Sequence, residues 1–106
     1  MSDYTIACES RVCRVALRGD LTSASVPPLR AALRSELEGG AAEVVFDLTQ
    51  TQMLDSTGIG LLVATHNSLA PRQGKLRVIG VSDDIVHLLQ SMRLVTRLNV
   101  SGRNAA

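Results

Sequence analysis

A short apolar run between two segments of helical periodicity constrains the fold of this chain more than any other feature. Residues 43–48 read EVVFDL, and their length and β-branched content predict a buried strand rather than a helix. Apolar residues in 26–38 and in 55–69 recur instead at the spacing of one helical face. Because neighbouring parallel strands need a crossover connection, this order predicts an α/β sandwich: a mixed, mostly parallel sheet of about four to five strands with helices packed against it.

The remaining patterns predict further strands and a third helix. Alternation of apolar and polar residues near the N-terminus has the period of strands with one buried face. The predicted strands lie at residues 4–8, 12–18, 75–80 and 94–100, and the third helix follows Asp83 and Asp84.

The length of 106 residues is enough for one hydrophobic core and too short for two. We therefore expect a single domain over residues 1–106, with its core at about 4–100. The small, polar residues 101–106 are expected to form a frayed tail.

Composition argues against several classes of ligand. Tyr4 and Phe46 are the only aromatic residues and the net charge is +1, so neither stacking platforms nor a basic surface favours nucleic acid. The longest apolar run is far shorter than a membrane span, and the first ten residues lack the pattern of a secretion signal. We expect a cytoplasmic protein that binds neither nucleic acid nor membrane.

The two cysteines, Cys8 and Cys13, flank a turn in the predicted N-terminal hairpin. They either face each other across the two strands or are free thiols in a reducing compartment. The chain has no C-x-x-C motif and no Cys/His cluster. We therefore expect neither a metal site nor a cofactor.

The stretch Leu54-Asp55-Ser56-Thr57-Gly58-Ile59-Gly60 carries the strongest functional signal. It leads from a polar loop into a helix whose first amides lack intrahelical partners, an arrangement that favours anions. Gly58 and Gly60 keep the first turn unobstructed. Two interpretations remain open at this point: Asp55 or Ser56 is an ordinary N-cap, or the hydroxyl of Ser56 accepts a phosphate.

This motif, together with residues 44–48 before it, resembles the STAS family of anti-sigma-factor antagonists. The resemblance extends back to Leu17-Arg18-Gly19-Asp20-Leu21 and forward to residues 74–82, and it covers roughly residues 12–95. It implies that Ser56 is phosphorylated by an ATP-dependent anti-sigma serine kinase and dephosphorylated by a serine phosphatase. Only the unmodified protein would then capture the kinase and release a sigma factor.

The resemblance also assigns roles to the neighbours of Ser56. Asp55 matches an acidic residue that would orient the hydroxyl or contact the partner, and Thr57 is the fallback phosphoacceptor. The first loop departs from the family pattern Gly-Glu-Leu-Asp, because Thr22 stands where the second acidic residue is typical. Thr22 and Ser23 are still expected to contact the partner, as is Gly58.

On the second helix, Leu61 and Thr65 lie off the stripe formed by Ile59, Leu62, Val63 and His66. Leu61 is therefore either an exposed apolar anchor for a partner or an isolated surface leucine. We expect a monomer or a weak dimer.

Two other functions are weighed against the phosphorylation switch. A serine hydrolase would need a base, yet His66 follows Ser56 by ten residues, about 15 Å along the helix, and His87 belongs to another helix. We therefore expect no catalytic residue and no enzyme activity. STAS domains also serve in stress-signalling scaffolds, beside chemotaxis-type kinases and as accessory subunits of transporters. A serine in the acceptor position favours the phosphorylation switch.

Overall fold

The computed structural model describes residues 4–103, which form one five-stranded sheet and three α-helices. The strands are β1 (Tyr4–Glu9), β2 (Val12–Leu17), β3 (Glu43–Asp47), β4 (Lys75–Val81) and β5 (Val100–Gly102). The helices are α1 (Val26–Glu38), α2 (Ser56–Leu69) and α3 (Asp83–Ser91), and a 3-10 turn at Ala70–Arg72 follows α2.

The strands lie side by side in chain order, β1-β2-β3-β4-β5. The first pair is antiparallel, as a tight hairpin requires, and the other three pairs are parallel. The connections from β2 to β3 and from β3 to β4 run through α1 and α2, and α3 precedes β5. The predicted α/β sandwich with a mixed, mostly parallel sheet is confirmed.

The core lies on one face of the sheet. Along β2, Cys13, Val15 and Leu17 are buried, while Arg14 between them is exposed. Arg14, Val45 and Arg77 lie in register across β2, β3 and β4, so they share the opposite face. The helices cover the first face and supply the rest of the core: the largest fully buried side chains are Phe46, Leu21, Leu29, Leu33, Leu48, Leu62, Leu69, Leu89 and Leu98.

The N-terminal hairpin brings the two cysteines together. Cys8 and Cys13 are directly opposite in the register of β1 and β2, and a disulfide joins them. The prediction that they face each other is confirmed, and the alternative of free thiols is wrong for this structure. Ser10 and Arg11 form the turn, both with positive φ (52° and 68°), the backbone shape that two-residue hairpins prefer.

The C-terminal segment differs from its prediction. No strand spans 94–100: Leu98 is fully buried within a run of turns, and Asn99 adopts a positive φ of 56° before β5 begins. Burial of Leu98 in the core outweighs the strand propensity of the segment. The first residues of the expected frayed tail are instead hydrogen-bonded to the sheet. Strand β5 runs to Gly102, and the amide of Arg103 donates to the carbonyl of Val81 at 3.0 Å. Residues 104–106 lie outside the described residues.

Between residues 4 and 103, no helix is long and apolar enough to cross a membrane.

Candidate functional site

Ser56 is the first residue of α2, and its side chain is exposed. Asp55 precedes it as the N-cap in an extended conformation (φ −100°, ψ −178°), and its Oδ1 accepts the amide of Gly58 at 2.9 Å. This resolves one of the alternatives left open by the sequence. Asp55 caps the helix, and the hydroxyl of Ser56 is left to project from its first turn.

The loop after β2 and the loop before α2 are joined by backbone hydrogen bonds. Leu21 and Leu54 form an isolated parallel bridge. In it, the amide of Leu21 donates to the carbonyl of Met53 at 3.1 Å, and the amide of Asp55 donates to the carbonyl of Leu21 at 3.3 Å. The two loops therefore form one continuous surface. The residues that follow Leu21 lie on it beside Ser56.

Two aspartates reinforce this junction from opposite directions. In the loop before α2, Asp55 Oδ2 accepts a hydrogen bond of 2.9 Å from the amide of Ser23, which belongs to the loop after β2. Asp20 Oδ1 accepts the amides of Gln52 and Met53, both at 3.0 Å. No role was predicted for Asp20 from the sequence. A signal was present, because Asp20 stands where the family pattern Gly-Glu-Leu-Asp has its first acidic residue.

The loop before Ser56 is also held by hydrogen bonds to Gly19 and to the side chain of Arg103. Thr51 is fully buried, and its hydroxyl donates to the carbonyl of Gly19 at 2.8 Å. The guanidinium of Arg103 donates to the carbonyls of Gly80 at 3.1 Å and Thr51 at 3.3 Å, and also to that of Thr49. These contacts of Thr49 and Thr51 are hard to foresee, since their partners Gly19 and Arg103 are distant in sequence.

Of the two predicted contacts in the first loop, Ser23 is exposed and Thr22 is half-buried. The carbonyl of Thr22 accepts the amides of Ser25 at 3.0 Å and Val26 at 2.9 Å, so its backbone forms the start of α1. Thr57, the fallback acceptor, is half-buried. Ser23 and Ser56 are therefore the most accessible hydroxyls at the junction.

Gly58 is buried and is not available to a partner. A Cβ built on Gly58 would collide with the carbonyl oxygen of Leu21. The glycine is there because α2 passes directly over the backbone of the first loop. The predicted partner contact at Gly58 is therefore wrong, and its role is to allow this close approach.

Leu61 is buried to 2% exposure, so the prediction that it is an exposed anchor is wrong. The buried face of α2 is formed by Gly58, Ile59, Leu61, Leu62, Thr65 and Leu69. This face is wider than the predicted stripe because α2 packs against α1 as well as against the sheet. Met53 carries the exposed apolar side chain near Ser56 instead, with 57% of its surface accessible.

Hydrogen bonding sets the electrostatics of the site. The amides of Gly58 and Ser23 donate to the Asp55 carboxylate and hold its pKa below the usual range, because they stabilise the charged form. Asp55 is therefore a fixed negative charge next to Ser56. Among the side chains of residues 4–103, neither His66 nor His87 is hydrogen-bonded to Ser56.

The chain is similar to STAS-domain proteins in both sequence and structure. A family model described as "Mlab, STAS domain" matches residues 5–100. The anti-sigma-B factor antagonist of Staphylococcus aureus is 29% identical over 93 residues, which cover 88% of this chain and 86% of that protein.

Two solved structures share the fold. The anti-sigma-factor antagonist (STAS) domain protein from Planctomyces limnophilus superposes with a TM-score of 0.81 and 20% identity, covering 95% of this chain and 91% of the other. The Bacillus cell fate determinant SpoIIAA in its phosphorylated form superposes with a TM-score of 0.76 and 18% identity, covering 92% and 90%.

Proposed function

This chain belongs to the STAS-domain family, and from that premise we propose that it is an anti-sigma-factor antagonist switched by phosphorylation of Ser56. The unphosphorylated protein binds an anti-sigma serine kinase, which then releases its sigma factor. The kinase phosphorylates Ser56 and dissociates from the antagonist. A serine phosphatase then removes the phosphate and restores the form that binds the kinase. The protein acts in the cytoplasm, by binding and without catalysis of its own.

One observation carries this proposal: the serine of the family motif is exposed at the first position of a helix whose N-cap is already filled. Because Asp55 supplies the N-cap hydrogen bond, the hydroxyl of Ser56 is not needed to cap α2, and its phosphorylation does not remove a capping contact. The positive end of the helix dipole favours a nearby phosphate. The modified protein therefore stays folded.

The switch follows from charge at a surface that a partner covers. A phosphoserine carries about −1.5 to −2 charges, and here it adds to the charge of Asp55. Placing this charge in a desolvated interface costs several kcal/mol unless a cation meets it. Phosphorylation thus lowers the affinity for the kinase and leaves the fold of the antagonist unchanged.

The surface offered to the kinase is built by the two joined loops. Ser56 lies at its centre, Ser23 is held beside Asp55, and Met53 provides an exposed apolar side chain of the kind that anchors interfaces. Thr22 borders the same surface. It stands where the family pattern has an acidic residue, so the partner kinase meets one negative charge fewer there.

The proposal is tested by incubating the protein with its anti-sigma kinase, ATP and Mg²⁺. We expect intact mass to rise by one phosphate and fragment spectra to place it on Ser56. Ser56→Ala should keep the circular dichroism and unfolding midpoint of the wild type and take up no phosphate.

A Thr57→Ala variant serves as the matched control and should be phosphorylated like the wild type. Phosphate on Thr57, or on any residue other than Ser56, contradicts the assignment. Ester hydrolysis by the purified protein that disappears in Ser56→Ala would instead favour an enzyme.

A further inference from the structure

The disulfide lies at a closely spaced position of the hairpin, on the side that faces α1. The Cα atoms of Cys8 and Cys13 are 4.1 Å apart, close to the spacing of about 4.5 Å expected for a non-hydrogen-bonded antiparallel pair. Cys8 is exposed on the edge strand β1, whereas Cys13 is buried to 1%. A reductant can therefore reach the bond through Cys8.

A carboxylate from α1 lies against this pair. Glu36 Oε2 is 3.7 Å from Cys13 Sγ. A disulfide sulfur carries no proton, so this contact is not a hydrogen bond in the oxidised protein. The donor atoms of Cys8, Cys13 and Glu36 all lie within 4.8 Å of one another, although they come from three different elements.

We propose that Cys8, Cys13 and Glu36 form a redox-gated site for a thiophilic divalent cation of the Zn²⁺ class. The disulfide closes the site, because both sulfurs are committed to the bond between them. A dithiol reductant transfers two electrons and two protons to the disulfide and is itself oxidised to a disulfide. Zn²⁺ then displaces both thiol protons and binds two thiolates, the carboxylate and one water molecule.

One of the three donor distances already matches such a site. With Zn–S near 2.3 Å and Zn–O near 2.0 Å, a thiolate and a carboxylate oxygen on one tetrahedral ion lie about 3.5 Å apart. The observed distance from Cys13 Sγ to Glu36 Oε2 is 3.7 Å. Two thiolates on the same ion lie about 3.8 Å apart. After reduction, a rotation of the exposed Cys8 side chain opens the sulfurs to that distance without moving the buried Cys13.

Space and charge at the site also suit a metal ion. All three donors line a surface cleft of about 240 Å³, enough for an ion and its water ligand. Two thiolates and a carboxylate leave a net charge of −1 around a divalent ion. Arg11 and Glu9 also line the cleft, and their opposite charges offset each other, so the donor set still presents net negative charge to a cation.

The absence of a C-x-x-C motif and of a Cys/His cluster led to the expectation of no metal site. The third ligand lies 23 residues beyond Cys13. No short motif therefore contains the donor set. The two sulfurs belong to one hairpin, and only the packing of α1 on the sheet brings Glu36 to them.

The experiment compares the oxidised protein with protein reduced by a phosphine and exchanged into oxygen-free buffer. Each form is titrated with Co²⁺, whose absorption reports thiolate coordination and tetrahedral geometry, and then with competing Zn²⁺. We expect one Co²⁺ per reduced chain, displaced by Zn²⁺, and no such absorption from the oxidised protein. Failure of the reduced wild type to give thiolate-to-cobalt absorption overturns the proposal.

Variants test the donor set. Glu36→Gln should weaken Co²⁺ binding by at least about tenfold, whereas Glu38→Gln, an exposed carboxylate on the same helix, should bind like the wild type. Cys8→Ser and Cys13→Ser should each lose the spectrum, with circular dichroism confirming that they fold. Equal affinity for Glu36→Gln and wild type would remove Glu36 from the site and with it the proposed coordination.

Discussion

The amide of Ser23 donates a 2.9 Å hydrogen bond to the carboxylate of Asp55, which lies 32 residues further along the chain. The same carboxylate caps α2 through Gly58. One side chain thus fixes both the start of the helix that presents Ser56 and the loop beside it. Charge introduced at Ser56 therefore appears next to a second negative charge and within a surface formed by two loops.

Stability at low pH should depend on Asp55. Its pKa is lowered in the folded protein by the amides of Gly58 and Ser23, so its contribution is complete above the ordinary carboxyl pKa of about 3.9. The contribution disappears as the pH falls below that value through the lowered folded pKa. Asp55→Asn keeps an acceptor for the cap but does not titrate. Unfolding midpoints measured from pH 7 to 2.5 should therefore fall less steeply below pH 4 in this variant.

Part of the acid sensitivity will remain in Asp55→Asn because of Asp47. Burial raises the pKa of Asp47, but hydrogen bonds from Thr49 and the contact with Arg14 outweigh it, and the pKa is lowered overall. Adding Asp47→Asn should flatten the profile further. An Asp55→Asn profile parallel to that of the wild type would show that the capping carboxylate does not contribute to acid unfolding.

The two glycines at the start of α2 should respond in opposite ways to alanine. In Gly58→Ala the new methyl group meets the carbonyl of Leu21, so the loop must shift, at a cost of about 1–3 kcal/mol. A Cβ at Gly60 meets nothing within 4 Å, so Gly60→Ala should stabilise the helix by about 0.5–1 kcal/mol. Denaturant unfolding measures both. Equal effects at the two positions would contradict the proposed close approach of α2 to the first loop.

Substitution of Leu61 should affect stability, whereas substitution of Met53 should affect binding to the partner. Leu61 is buried between α2 and its neighbours, so Leu61→Ala should lower the free energy of unfolding by about 2–5 kcal/mol. Met53 is exposed, and Met53→Ala should change that energy by no more than about 0.5 kcal/mol. The same variant should weaken binding to the anti-sigma kinase by about fivefold or more in calorimetry. Unchanged affinity in Met53→Ala would place the kinase on another surface.

A fixed negative charge at Ser56 should imitate the phosphorylated state in binding. Ser56→Asp should fold normally and bind the anti-sigma kinase about tenfold or more weakly, because an uncompensated charge enters the covered surface. Ser68→Asp places the same charge on an exposed residue near the other end of α2 and should bind like the wild type. If both variants lose affinity equally, net charge explains the effect and the local switch at Ser56 does not.

Sequence patterns alone predicted most of the secondary structure. The predicted helix over 26–38 coincides with α1. The predicted strand over 43–48 is one residue longer than β3, which ends at Asp47. These predictions succeeded because local periodicity agrees with the final packing. They failed at 94–100, where the burial of Leu98 in the core decides the backbone conformation.

The position of Ser56 at the start of α2 follows from sequence, because an N-cap residue and a helix start are local features. The surroundings of Ser56 were decided only by tertiary structure. Leu61 and Gly58 were assigned to a partner surface, yet the packing of α2 against α1 and over Leu21 buries both. Conversely, Asp20 and Glu36 gained their roles from atoms more than 20 residues away.

The sequence by itself thus determined which segments are helices and strands and which serine heads α2, since these depend on neighbours within a few residues. Tertiary structure decided which side chains face solvent and which groups meet. Loop closure brings Ser23 to Asp55, and helix packing brings Glu36 to the cysteine pair. Such contacts depend on how whole elements pack, and no local pattern encodes that.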